Sequence, residues 1–220
     1  MINKLRGARL RKRQKQIAQA RTYFPELDPV ILDGFFANFG FAMALSLLVK
    51  IELICKTIRP NLVVEFGSGL STVVIANALS GHDGFLITFD ENMKWLATTH
   101  GLLKHTSNVA FVCVPSGEGM NHAALSRYVW WRSKPELVVI DGPSGGERFS
   151  LSALEVYGEL LSSNGVCIVD DTDRDENDQG ASGLAADFSL TKCDYADAVY
   201  VNHKYSILLP EDFDDRILIP

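Results

Sequence analysis

The sequence contains no C-x-x-C pair, no internal repeat, no low-complexity tract and no apolar run long enough to cross a bilayer. Its four cysteines, Cys55, Cys113, Cys167 and Cys193, stand far apart. That spacing excludes a disulfide scaffold and the usual zinc sites, and it fits a reducing compartment. The longest uncharged stretch, Gly34 to Val49, is sixteen residues, short of the roughly 20 that a membrane-spanning helix needs. No apolar segment follows the basic N-terminus within the first 30 residues, so neither a secretory leader nor a membrane span is expected and the cytoplasm is the default location. Glycine and proline are near average, which removes the fibrous and disordered classes.

What is present is ordinary globular material with one asymmetry. The chain has 220 residues, 47% hydrophobic and 22% charged, enough to bury a sizeable core. Residues 1 to 21 carry eight Lys or Arg and no acid, leaving 13 basic against 27 acidic residues in the remainder. A basic segment without interleaved aromatics reads as a solvated or frayed arm, or one lying on the acidic body of its own protein.

Periodicity supplies the architecture. From Phe35 to Ile58 the apolar residues recur at helical spacing until Pro60 stops them, so one or two helices precede the first strand. Short apolar runs then alternate with helical segments. The expected strands are Leu62–Phe66, Phe85–Phe89, Val109–Val114, Leu137–Ile140 and Val166–Val169. Between them lie helices at Val73–Leu79, capped by Ser71-Thr72, at Met93–Leu103, around Met120–Trp131, and at Leu151–Leu161. Continuous apolar strands alternating with helices predict an α/β fold with a parallel sheet covered on both faces. The runs Ala198–Val201 and Tyr205–Leu209 are separated only by Asn202-His203-Lys204, too little for a crossover, and are expected to form an antiparallel hairpin. The acid-rich stretch Asp170–Asp178 reads as a solvated loop. Residues 1–59 form a basic arm and helical extension, and residues 60–220 one compact unit.

In an open parallel sheet, ligands bind beyond the carboxyl ends of the strands where the strand order reverses. Acids and glycines gather at those ends: Glu65 and Gly67-Ser68-Gly69 after the first strand, Asp90-Glu91 after the second, Asp141 after the fourth, and Asp170-Asp171 after the fifth. Glycines there permit a tight turn, and the next helix offers free N–H groups to an anion. An acid 21 residues after Gly69 also fits a nicotinamide dinucleotide fold, but Thr72 stands where the third glycine of G-x-G-x-x-G belongs.

The segment Val64-Glu65-Phe66-Gly67-Ser68-Gly69-Leu70-Ser71-Thr72 resembles motif I of the class I S-adenosylmethionine-dependent methyltransferases, particularly small bacterial members reading E-x-G-S-G-x-S-T. The resemblance runs from about Leu47 to Leu209. It implies a Rossmann-like, doubly wound sheet of about seven strands with the last strand antiparallel. It also implies S-adenosylmethionine as methyl donor, with Glu65, Gly67 and Gly69 around its methionine moiety, Ser68 and Ser71 of the same loop in contact with it, Asp90 on the ribose hydroxyls, Ser116 near the adenine, and Asp141 close by.

The acceptor is expected to be a small molecule, methylated on oxygen. Asp141, Asp170 and Asp171 could hold Mg²⁺, as similar carboxylates do in catechol O-methyltransferase, although here Asp171 replaces an Asn and Ser144 a Lys base of that pattern. Asp141 and His203 are the candidate catalytic groups, His203 as general base at the hairpin turn. Glu147, Arg148, Phe149, Tyr23, Phe24, Phe35 and Phe36 could line the acceptor side. A nucleotide-dependent oxidoreductase and a non-catalytic donor-binding protein of the same fold are the alternatives. An acidic rim repels phosphates, so nucleic acid is not an expected partner.

Overall fold

The apolar stretch preceding the first strand resolves into two helices rather than one, behind a third formed by the basic arm. The computed structural model describes residues 2–23, 25, 27–37, 43–103, 107–114, 134–142, 148–161, 164–197 and 203–218. Helix α1 (Ile2–Tyr23) is followed by α2 (Pro29–Ala37) and α3 (Leu45–Ile58). Pro29 opens α2 at the position where its missing N–H costs nothing, and the Asp28 carboxylate accepts from the Val30 N–H at 2.8 Å. Helix α3 ends before Pro60, with Arg59 in the left-handed region at φ 47°. The arm is helical instead of frayed. It meets the body through buried Ala20, half-buried Ile17 and an ion pair between Arg13 and Asp33 at 2.6 Å.

The strands and helices that follow are β1 (Leu62–Phe66), α4 (Leu70–Leu79), β2 (Phe85–Asp90), α5 (Met93–Leu102), β3 (Val109–Cys113), β4 (Leu137–Ile140), α6 (Leu151–Leu160), β5 (Val166–Val169), α7 (Asp175–Asp187), β6 (Thr191–Ala196) and β7 (Lys204–Leu209). The seven strands have the order β3-β2-β1-β4-β5-β7-β6. β1 to β5 are parallel, and β7 runs antiparallel to both β5 and β6. The order reverses between β1 and β4, where the fold places a ligand crevice.

Alternation along each strand divides the core in two. Val63, Val139, Ile168 and Ile207 pack under α2, α3 and α4, whereas Val64, Phe66, Val138, Ile140 and Val169 pack under α6 and α7. Glu65, between Val64 and Phe66 on β1, is fully buried. No helix among the described residues is long and apolar enough to cross a membrane.

Three local expectations need correction. α4 begins at Leu70 with Gly69 as its N-cap, not at Val73 behind a Ser71-Thr72 cap. The hairpin's first arm is Thr191–Ala196, and Ala198–Val201, like the helix expected around Met120–Trp131, lies outside the described residues. Asp175–Asp187, whose first four residues were expected as loop, is a helix whose acids Asp175, Glu176 and Asp178 occupy the first turn, where the helix dipole favours them.

Candidate functional site

β1 and β4 come so close at their carboxyl ends that both need glycine. Gly67 has φ 94°, and a Cβ on it would lie 2.9 Å from the Gly142 amide nitrogen; a Cβ on Gly142 would lie 3.0 Å from that of Gly67. Gly69 is different: it is extended, and a Cβ there would meet only the Trp95 indole nitrogen, at 3.8 Å. The fold does not demand glycine at 69, so the open space there is available to a ligand.

Beneath this loop sits Glu65. Its Oε2 accepts from the Thr72 hydroxyl at 2.6 Å, and Thr72 Oγ1 in turn accepts from the Gly69 N–H at 2.9 Å. Thr72, expected as a helix cap, therefore ties the acid to the loop. Glu65 Oε1 is buried with no hydrogen-bond partner among the described residues. Burial raises the Glu65 carboxyl to about 7, the hydroxyls of Ser71, Thr72 and Thr88 acting in the opposite direction. A buried, unpartnered carboxylate oxygen beside a glycine loop fits a cationic amino group, which would supply the missing donor and favour ionisation.

At the end of β2, Asp90 Oδ2 accepts from the Ser68 N–H and hydroxyl, both at 2.8 Å, while Oδ1 accepts from the Asn92 N–H at 2.8 Å. Asn92 caps α5 through bonds from Lys94 N–H at 3.0 Å and Trp95 N–H at 3.2 Å. The Trp95 indole N–H closes the ring by donating to the Ser68 carbonyl.

The rim past β4 and β5 is organised by a cation that the sequence reading had turned toward the acceptor. Arg148 is 3% exposed. Its guanidinium donates to the backbone carbonyls of Asp141 and Asp170, the latter at 3.0 Å, and lies 3.6 Å from Asp141 Oδ1 and 3.5 Å from Asp171 Oδ2. The Tyr157 hydroxyl donates to the Arg148 carbonyl at 2.9 Å. Desolvation and the facing Asp170 push Asp141 well above the usual carboxylate range, with Arg148 opposing them. Asp171 holds φ 58°, its carbonyl accepting from the Asn177 side chain at 3.1 Å.

His203, just before β7, reaches the same rim as expected of a reversed last strand. Its Nε2 lies 2.8 Å from Asp170 Oδ1, and Nδ1 lies 3.8 Å from Asp171 Oδ1. The hydrogen bond to Asp170 pushes the imidazole up to about 9, so it holds its proton at neutral pH. Asp170, Asp171 and His203 each offer a ligand atom within 4.8 Å of the others. Asp141 does not complete a three-carboxylate set, because the Arg148 guanidinium stands between it and Asp171. Those three acids as built do not fit a divalent ion.

Of the other residues named from sequence, Ser116, Ser144, Glu147 and Phe24 lie outside the described residues. Phe35 and Phe36 are buried in the core against one another, 5.1 Å apart edge to face, and Tyr23 is 59% exposed. Phe149 packs edge-on to Tyr157 at 5.9 Å.

No family model and no curated protein matches the sequence. Solved structures do match the fold. A Bacillus cereus O-methyltransferase in complex with S-adenosylhomocysteine superposes with a TM-score of 0.66 at 11% identity, over 90% of this chain and 99% of that one. The Podospora anserina methyltransferase PaMTH1, bound to the same molecule, gives 0.62 at 13% identity, over 90% and 96%. Human methyltransferase-like protein 13, also in complex with it, gives 0.53 at 14% identity, over 79% and 84%. Strand order, reversed last strand and glycine crevice together give this chain the fold of S-adenosylmethionine-dependent methyltransferases.

Proposed function

We propose that the protein is an S-adenosylmethionine-dependent methyltransferase that acts on an oxygen of a small molecule. The observation that carries this reading is the buried, unpartnered Glu65 Oε1 beneath a loop in which Gly67 is fixed by β4 and Gly69 is left open. The fold is shared with methyltransferases solved with S-adenosylhomocysteine. Glu65 would hold the donor's amino group, Gly67, Ser68, Gly69 and Ser71 would border its methionine moiety, and Asp90 would take the ribose hydroxyls in exchange for part of its bonding to Ser68.

When bound, the donor supplies a methyl group already activated on a sulfonium, so the chain's work is to position the acceptor, exclude water and accept a proton. Asp141 is the group suited to the last task, since a carboxyl raised well above its ordinary range is a stronger base when ionised. His203, protonated at neutral pH, acts beside it as a cation that steadies Asp170 and charge developing on the acceptor oxygen. Arg148 supplies positive charge in the space where the sequence suggested Mg²⁺, and no step is assigned to a metal.

Thermal melting separates this reading from the oxidoreductase, and turnover of a panel of acceptors separates it from a non-catalytic donor-binding protein. S-adenosylhomocysteine is expected to raise the unfolding temperature and NAD to leave it unchanged. Stabilisation by NAD alone would establish the oxidoreductase reading in its place.

A further inference from the structure

The ring of hydrogen bonds at the ends of β1 and β2 commits every polar group of Ser68. Its N–H and hydroxyl donate to Asp90 Oδ2, and its carbonyl accepts from the Trp95 indole. Asp90 Oδ1 holds Asn92, and Asn92 Oδ1 holds the backbone N–H groups of Lys94 and Trp95. Trp95 is half-buried and lies on the first turn of α5, with its indole nitrogen 3.8 Å from the place a Gly69 Cβ would take. Ser68 precedes the one loop glycine whose openness the fold does not explain.

From this closure we infer that Trp95 is a positioning residue for the donor site: its indole N–H holds the Ser68 carbonyl, and so fixes the Ser68–Gly69 peptide in the conformation that receives the methionine moiety. The inference rests on the methyltransferase reading above. Its physical basis is preorganisation. A loop fixed before binding does not lose its freedom on binding, so affinity depends on a side chain that donates nothing to the ligand. Phenylalanine at 95 keeps a ring over Gly69 and removes only the donor.

The expected effect of Trp95→Phe is a roughly fivefold weaker dissociation constant for S-adenosylmethionine, about 1 kcal/mol by the affinity relation, the worth of one hydrogen bond. The unfolding temperature of the free protein is expected to stay within about 3 °C of wild type, which separates positioning from general support of the fold. Amide exchange in the ligand-free protein is expected to speed up at Ser68 and Gly69 while the β1 amides keep their protection. Indole fluorescence gives an independent readout. Wild type has Trp95, Trp130 and Trp131, and the change on adding S-adenosylhomocysteine is expected to fall by more than half in the variant.

Binding by wild type with an unchanged constant in Trp95→Phe overturns the role of Trp95 and leaves the donor reading standing. Unchanged exchange at Ser68 and Gly69 overturns it equally, whether or not a donor binds. Absence of S-adenosylmethionine binding by wild type instead overturns the donor reading itself.

Discussion

Glu65 links stability to ligand binding. Its carboxyl is raised to about 7 by burial, against 4.5 as its ordinary value. An acid raised in the folded state binds more protons there than in the unfolded chain, so the Glu65 contribution to stability is most favourable below about pH 4.5 and declines as the pH rises toward 7. At about 1.4 kcal/mol per unit the loss approaches ~3 kcal/mol. Denaturant unfolding of Glu65→Gln against wild type at pH 4.5 and 7 is expected to show that slope in wild type and its absence in the variant. A donor amino group beside Oε1 favours the ionised form, so S-adenosylmethionine binding near pH 6.5 is expected to release close to one proton. Calorimetry in buffers of different ionisation enthalpy measures it. His203 has the same sign in a higher pH window. Raised to about 9 by Asp170, it contributes stability that is complete below its ordinary value of 6.5 and is lost as the pH climbs through 9, a dependence that Asp170→Asn is expected to abolish.

The site residues differ in how far the sequence exposed them. Glu65, Gly67, Asp90, Asp141 and Asp170 could be placed because each ends a β-branched apolar run, and strand ends in a parallel sheet share one rim. Arg148 and Trp95 could not. Arg148 bonds to a residue 22 positions away and Trp95 to one 27 away, and a lone Arg or Trp carries no periodicity that names its partner. Gly69, expected both to permit a tight turn and to border the ligand, is an extended residue whose missing side chain leaves room.

At the scale of elements, the interior strands were legible and the last third of the chain less so. β4 and β5 are buried along their length and continuously apolar, and β1 departs from this only at half-buried Leu62 and at Glu65. β6 is the edge strand, with exposed and half-buried residues including Lys192 and Asp194, so it lacks that signature. α7 was hidden by its acidic start and by Gly180 and Gly183, two poor helix formers. Those glycines are expected to respond oppositely to alanine. A Cβ on Gly180 would fall 2.3 Å from the Phe149 ring, whereas Gly183 has nothing within 4 Å. Gly183→Ala is expected to stabilise the protein by about 0.5–1 kcal/mol through helix propensity. Gly180→Ala is expected to cost about 1–3 kcal/mol by displacing Phe149 from Tyr157. Parallel urea titrations compare the two.

Across the whole molecule, the sheet brings together groups from β1, β2, β4, β5 and β7 that are separated by up to 138 positions, Glu65 to His203. Among the described residues, Arg148, Arg174 and protonated His203 are set among the carboxylates of the rim they form. The basic helix α1 stands on the other side of this charge balance, tied to the body by Arg13 and Asp33. Gly67 and Gly142 let the ends of β1 and β4 approach closely, and the Ser68-Gly69 loop that follows is where S-adenosylmethionine is expected to bind. Isothermal calorimetry on wild type and Gly69→Val, each first checked for a cooperative melt, tests this most directly, because a Cβ at 69 meets no backbone. The expected result is one saturable site for S-adenosylmethionine in wild type, weakened at least roughly tenfold in the folded variant. Absence of binding in wild type, or wild-type affinity in folded Gly69→Val, would contradict it.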